Sequence, residues 1–262
     1  MIITEDFVDL DTPTGKMRTF RFEPAFEGSF PGIVLFSEIY QMTGPIARTA
    51  RMLAGHGYIV AVPEIYHEFE PLGSPFEYDQ AGTDKGNRYK IEKEISAYDS
   101  DARAALDFLA GLPNCNGRLG AIGICIGGHL SFRAAMNPDV QATACFYATD
   151  IHKRSLGKGM NDNSLDRVGE IKGELMMVWG RQDRHVPREG RALIHNALLD
   201  ADVNVTWHEF NARHAFVRDV GYRYNPALAR LTMDMVLELF NRKLQMGEPV
   251  QTPIAQKPAG PC

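Results

Sequence analysis

No stretch of this chain approaches the roughly 20 consecutive apolar residues that a helix needs to cross a bilayer. The opening residues, MIITEDFVDLD, carry acids early and no basic patch ahead of an apolar block, so no secretory leader is expected. Basic residues do not dominate either: 28 Lys and Arg stand against 33 Asp and Glu, a formal net charge of −5. That balance provides no global attraction to nucleic acid or to an anionic membrane surface. Cysteine is scarce. Cys115, Cys125, Cys145 and Cys262 make no CxxC pair and no Cys/His spacing suited to zinc, so free thiols in a reducing, cytoplasmic setting are expected, with no metal. Internal repeats and composition shifts that would mark a domain boundary are also missing.

What is there is enough to fill one large core: 262 residues, 44% of them hydrophobic. Short apolar runs rich in β-branched and aromatic residues read as buried strands at Gly32–Phe36, Tyr58–Val62, Arg118–Ile124, Ala142–Ala148, Glu174–Gly180 and Asn204–Phe210. Helical periodicity lies between them. Ile91, Ile95, Tyr98, Ala102, Leu106 and Leu109 recur at three- and four-residue steps and predict one helix over Tyr89–Leu112. Pro45–Ala54, Gly128–Met136, Glu189–Leu199 and Asn225–Lys243 read as further helices. Strands alternating with helices imply an α/β fold, a mostly parallel central sheet with helices on both faces. The first twenty-odd residues alternate weakly and predict one or two antiparallel edge strands. Residues 1–246 are thus expected to form a single domain. The last 16 residues, 247–262, hold four prolines and cannot form a regular element.

In an open parallel sheet, ligands collect at the carboxyl ends of the strands. There stands GICIGGH, in which Gly123, Cys125 and Gly127 make the pattern G-x-C-x-G, the thiol version of the nucleophile elbow. A sharp strand-to-helix turn projects such a side chain outward at a helix N-terminus, where unpaired N–H groups favour a thiolate. A thiol is mostly protonated at neutral pH and needs a base. Downstream, WGRQDRHVP places Asp183 just past one strand, and HEFNARHAF places His214 just past the next. Nucleophile, acid and histidine therefore follow one another in the chain order of this elbow's known triads. The other histidines, His185 among them, have no comparable placement. Glu38 follows the Gly32–Phe36 strand, where it can hold the thiol's proton or compete for His214. The backbone N–H groups of Ile39 and Ile126 are the expected oxyanion pair. Tyr40, Tyr66, Phe76, Tyr78, Tyr89 and Tyr147 are expected to wall the cleft or pack the core beneath it.

The segments IVLFSEIYQMTGPIARTARMLAGHGYIVAVPEIY, RLGAIGICIGG, GRQDRHVP and ARHAF resemble the dienelactone hydrolase family, a cysteine-nucleophile branch of the α/β-hydrolases. The resemblance runs from about Gly32 to Phe240. It implies a Cys125–His214–Asp183 triad, with Glu38 restraining the thiol, and hydrolysis of a lactone or ester such as dienelactone without cofactor or metal. It also implies that arginines hold a substrate carboxylate: Arg218 matches one, and Lys85 or Arg88 stands for the other. Ala215 replaces a hydroxyl residue found in dienelactone-active relatives, and the segment between Ala148 and Gly173 is longer than in compact members. A small-molecule substrate and a monomer or homodimer are expected, with no nucleic acid and no membrane as partner. Two alternatives stay open: a thiol enzyme of the amidotransferase-like class, and a non-catalytic binding module on the same fold.

Overall fold

The computed structural model of the protein describes residues 1–246; the Pro-rich tail and Cys262 lie outside the described residues. Eight strands join one sheet in the order β1-β2-β4-β3-β5-β6-β7-β8. The edge hairpin β1 (Ile3–Thr12) and β2 (Gly15–Pro24) is antiparallel over ten residue pairs, and β2 lies antiparallel to β4 (Ile59–Pro63). From β4 onward every pairing is parallel: β3 (Phe30–Phe36), β5 (Cys115–Ile124), β6 (Val140–Phe146), β7 (Glu174–Gly180) and β8 (Val205–Phe210). β3 and β7 are buried along their whole length, as continuous apolar runs in a sheet covered on both faces require.

Helices α1 (Gly44–Gly55) and α6 (Pro226–Phe240) cover one face, packing Ile46, Leu53, Val236, Leu239 and Phe240 against Ile33, Leu35, Val60 and Ile122. On the other face, α3 (Ile95–Ala110) and α4 (Ile126–Ala134) bring Tyr98, Leu106, Leu109 and Leu130 onto Val34, Ala61 and Ala121. α5 (Arg188–Asp200) extends that layer with Ile194 and Leu198 against Phe132, Met177 and Trp179. No described helix is long and apolar enough to cross a membrane.

The helix expected over Tyr89–Leu112 is two. α2 spans Gln80–Glu92, the chain is extended at Lys93 and Glu94, and α3 begins at Ile95. The break turns Lys93 inward, where its fully buried ammonium lies 2.7 Å from Asp101 and 2.5 Å from Glu68. An inward lysine has to be paired, and the pairing needs backbone that a continuous helix cannot provide. Ile91 accordingly falls off the apolar face and is exposed, whereas Tyr98, Ala102, Leu106 and Leu109 are buried as the spacing predicts. Likewise α6 stops at Phe240 and gives way to a wider π turn over Asn241–Gln245.

The long segment after β6 docks behind α4. The buried His129 Nε2 lies 2.7 Å from Ser164 Oγ and 3.5 Å from Asp162 Oδ1, and one turn later Arg133 reaches Ser164, Asn163 and Asp99. Asp162 also accepts the N–H groups of Leu156 and Ser164. Burial pushes the Asp162 carboxyl up, but the bonds to His129, Ser164 and Leu156 win and hold it well below the usual carboxylate range. A depressed carboxylate contributes stability that is complete above its ordinary pKa and is lost as pH falls through the folded one. Asp162→Asn should therefore cost about 2 kcal/mol in denaturant unfolding at neutral pH. The gap to the parent should narrow as pH is taken from ~7 toward ~3; a gap independent of pH would remove the ionised carboxylate from this role.

Candidate active site

Six parallel strands end on the same rim, and the chain reverses its direction of travel across the sheet between β3 and β5, the place where α/β sheets open a crevice. Cys125 sits there with φ 63° and ψ −120°, between the last residue of β5 and the first of α4. A non-glycine residue at positive φ is strained, and here the strain turns the thiol out of the sheet. The flanking glycines make the turn possible. A Cβ on Gly123 would stand 1.8 Å from the Gly127 carbonyl oxygen, and one on Gly127 would stand 2.2 Å from that of Phe36. Strand and helix touch backbone to backbone, and any side chain at either position would drive them apart.

His214 lies in the loop after β8. That loop is strapped to the end of β7 by the Gln182 N–H donating to the Ala212 carbonyl at 2.9 Å. Asp183, just past β7, receives His214 Nδ1–H at 2.6 Å through Oδ2, while its Oδ1 accepts the His185 N–H at 2.8 Å. Both residues are buried. The Tyr147 ring backs the imidazole edge-on at 4.7 Å. Burial would lower the His214 pKa, but the charge of Cys125 as a thiolate and the bond to Asp183 overcome it, pushing it up to about 10. Burial raises the Asp183 carboxyl, and the bond to His214 outweighs it, holding the group below the usual range. His214, bonded to Asp183, thus presents its ring in one cleft with Cys125.

Glu38 follows β3 and is also buried. Its contacts are not with the thiol: Tyr78 donates to Oε2 at 3.2 Å, and Arg218 lies 3.6 Å from Oε1. No hydrogen bond joins Glu38 to Cys125 among the described residues. Desolvation raises the Glu38 pKa, opposed by the charges of Arg218 and His214. Arg218 in turn lies over the Tyr78 ring at 4.4 Å and near that of Tyr40 at 5.9 Å. Ile39 lines the cleft beside Glu38, and Ile126 opens α4, where first-turn N–H groups have no helical partner one turn back.

The cleft encloses about 490 Å³ and brings Cys125, His214, Glu38, Ile39 and Arg218 together. Lys85 and Arg88 are placed elsewhere. Lys85 pairs with Glu70 at 2.9 Å and Arg88 lies along α2 toward Glu92, so neither lines the cleft. Lys90, further along α2, does, and it bonds Asp150 at 2.9 Å. Helical phase decides: the carboxyl-terminal part of α2 faces the cleft through Lys90, on the side of Asn87 and Thr83. Tyr40 and Tyr78 wall the cleft, whereas Tyr66, Phe76 and Tyr89 cluster in the core below, Tyr66 stacked on Phe76 and edge-on to Tyr89.

Sequence reasoning missed Lys90, Asp150, His185 and Arg223 as cleft residues. None carries a periodic or motif signal, apart from His185, which lies two residues after Asp183. Its ring sits 4.5 Å from that of His214. Two groups bring possible metal ligands within 4.8 Å: Asp183, His185 and His214, and His67, Glu68 and Asp101. In the first, His214 and Asp183 already bond each other; in the second, the Lys93 ammonium bonds both carboxylates. Each donor set is engaged without an ion.

The sequence profile of the dienelactone hydrolase family matches residues 17–244. A Saccharomyces cerevisiae protein with a provisional carboxymethylenebutenolidase name is 43% identical over 259 residues, covering 94% of each chain. A carboxymethylenebutenolidase from a Pseudomonas species is 26% identical over 84% of this chain and 88% of its own. Among solved structures, a Klebsiella pneumoniae protein provisionally described as a dienelactone hydrolase superposes with a TM-score of 0.80 at 19% identity, covering 92% of this chain and all of that one. At that identity the likeness speaks for the fold alone. With the fold, the elbow and the profile in agreement, the chain belongs to the dienelactone hydrolase family and has the α/β-hydrolase fold.

Proposed function

We propose that this protein hydrolyses a lactone or carboxylic ester of the dienelactone (carboxymethylenebutenolide) kind through Cys125, His214 and Asp183, by way of an acyl-thioenzyme. The observation that carries the reading is a strained cysteine at a helix start, sharing a cleft with a histidine whose other nitrogen is held by a buried carboxylate. The family and the names of the relatives support the reaction class.

The substrate carbonyl is placed against the Ile39 and Ile126 N–H groups, and a substrate carboxylate against Arg218. Taking Arg218 deprives the buried Glu38 of its cation, so its proton affinity rises and it can accept the proton of a neutral Cys125 thiol. At rest Arg218 and Tyr78 hold Glu38 away from the thiol, and loosening that hold is what lets Glu38 reach Cys125 and take its proton. The thiolate attacks the carbonyl carbon, and the oxyanion is stabilised by the two N–H groups, each worth roughly 3 kcal/mol of barrier. The C–O bond breaks, the leaving oxygen takes the proton of the His214 imidazolium, and an acyl thioester remains.

Acylation also resets the base. The thiolate charge, the leading influence that raises the His214 pKa, disappears when the sulfur becomes a thioester. Burial then pulls the pKa down, and neutral His214 can take a proton from water. Hydroxide attacks the thioester, the thiolate leaves, and the ion pair returns. Asp183 holds the ring orientation through both steps.

Replacing Cys125→Ala should lower kcat/KM for dienelactone and for a neutral aryl acetate by at least about 10³-fold. Unchanged turnover overturns the nucleophile assignment, and no turnover of either ester by the parent brings the binding-module reading forward. Arg218→Gln should raise KM for the anionic lactone by about tenfold more than for the neutral ester, because only the lactone offers a carboxylate to the guanidinium. With a substrate-like carboxylate bound at Arg218, the state in which the mechanism has Cys125 ionised, imidazole NMR should find His214 protonated until about pH 10 in the parent and titrating at clearly lower pH in Cys125→Ala. The same titration in both proteins would assign the shift to Asp183 alone.

A further inference from the structure

Beside the catalytic cleft, a second cavity of about 560 Å³ is lined by Arg184, His185, Arg213, His214, Tyr222 and Arg223 together with Gln182. The two cavities meet at His185, His214 and Arg223, which line both. Arg218 and Glu38 line only the first, Arg184 and Arg213 only the second. The second cavity therefore continues the catalytic one past the catalytic imidazole.

Its chemistry is one-sided. The catalytic cleft has carboxylates on its wall at Glu38, Asp79 and Asp150, whereas among the described residues no carboxylate lines the second cavity. Most arginines of this acidic chain are engaged: Arg18, Arg21, Arg48, Arg51, Arg103, Arg133, Arg154 and Arg167 each lie on an Asp or Glu. Among the described residues, Arg184, Arg213 and Arg223 have no such partner. Arg213 and Arg223 instead flank the ring of Tyr222 at 6.0 and 5.4 Å. That ring is 80% exposed. The bond from Arg223 and the charges of Arg223 and Arg213 hold its phenol below the usual range. Three guanidinium groups gathered without a counter-charge repel one another, and the arrangement is relieved by an anion. Guanidinium is also the side chain suited to bidentate binding of carboxylate or phosphate.

We propose that Arg184, Arg213 and Arg223 form a second anion subsite adjoining His214, so that the physiological ester or lactone carries an oxyanion, carboxylate or phosphate, on the part that extends past the catalytic histidine. This part lies beyond the reach of Arg218, which serves an anion in the first cavity. As a statement about substrate the proposal rests on ester hydrolysis at Cys125; as a statement about binding it does not.

The test separates the two. Binding of benzoate and of phenyl phosphate is measured by calorimetry on the parent, on Cys125→Ala, on the Arg184→Gln/Arg213→Gln double variant, and on an Arg181→Gln/Arg188→Gln control. The control arginines also lack an ion pair among the described residues, but they line neither cavity. The double variant should bind at least one of the two anions about tenfold more weakly than the parent, with the control unchanged and Cys125→Ala, in which His214 loses charge, weakened by less than the double variant. The tighter of the two anions identifies carboxylate or phosphate as the preferred group. In parallel, KM for 4-acetoxybenzoate or 4-acetoxyphenyl phosphate should rise in the double variant relative to KM for phenyl acetate. Anion binding of equal strength in the parent and the double variant, or no binding to either, overturns the subsite. Binding lost in the double variant of a protein that hydrolyses no ester keeps the subsite and overturns only the hydrolase reading.

Discussion

Everything at this site depends on one close approach, that of the first turn of α4 to the ends of β3 and β5. The contact is made by backbone, with Gly127 against Phe36 and Gly123 against Gly127, and it holds Cys125 between them at φ 63°. Strain of this kind, on the order of 1–3 kcal/mol per residue, persists only where the surroundings over-determine it. Here they do. α4 is held on one side by apolar packing of Ile126, Leu130 and Ala134, and behind by the buried His129 and Arg133 bonds to the segment after β6. The segment after β6 thus braces the helix that starts at Cys125.

The second constraint is electrostatic. Glu38, Asp183 and His214 are nearly dry, and a lone charge at that depth is expensive. The fold answers with a chain of mutual partners: Asp183 on His214, His214 facing Cys125, Arg218 on Glu38, and Tyr78 on Glu38. Each partner sets the proton affinity of its neighbour, so gaining or losing one charge shifts the rest. In the proposed mechanism, a substrate anion at Arg218 and an acyl group on Cys125 would both be changes of that kind. The cationic cavity beyond His214 lies outside this balanced set, and its arginines have no carboxylate to answer them.

The strands were legible because buried parallel strands are short apolar runs, and all six predicted core runs overlap strands of the sheet. The positions of Cys125, Asp183, His214 and Glu38 were legible for a related reason: each follows a strand directly, and parallel strands end on one rim. Less was legible where long side chains decide. Periodicity alone joined α2 to α3, because Lys93 is as acceptable in a helix as in an extended step until its buried partners Asp101 and Glu68 are known. Lys85 and Arg88 matched an expected role by position, but the phase of α2 turns Lys90 to the cleft instead.

By itself, then, the sequence determined the alternation of strand and helix, the glycine-flanked turn at Cys125, and the order of Cys125, Asp183 and His214 at successive strand ends. These follow from local pattern and from the rule that parallel strands share a carboxyl edge. Only the tertiary structure decided which charges meet: that Glu38 lies on Arg218 and Tyr78, that His185 stands against His214, and that Arg184, Arg213 and Arg223 gather around one cavity. Those residues come from separate loops, and loop paths are set by how the ends of β7, β8 and α6 pack, which no local period encodes.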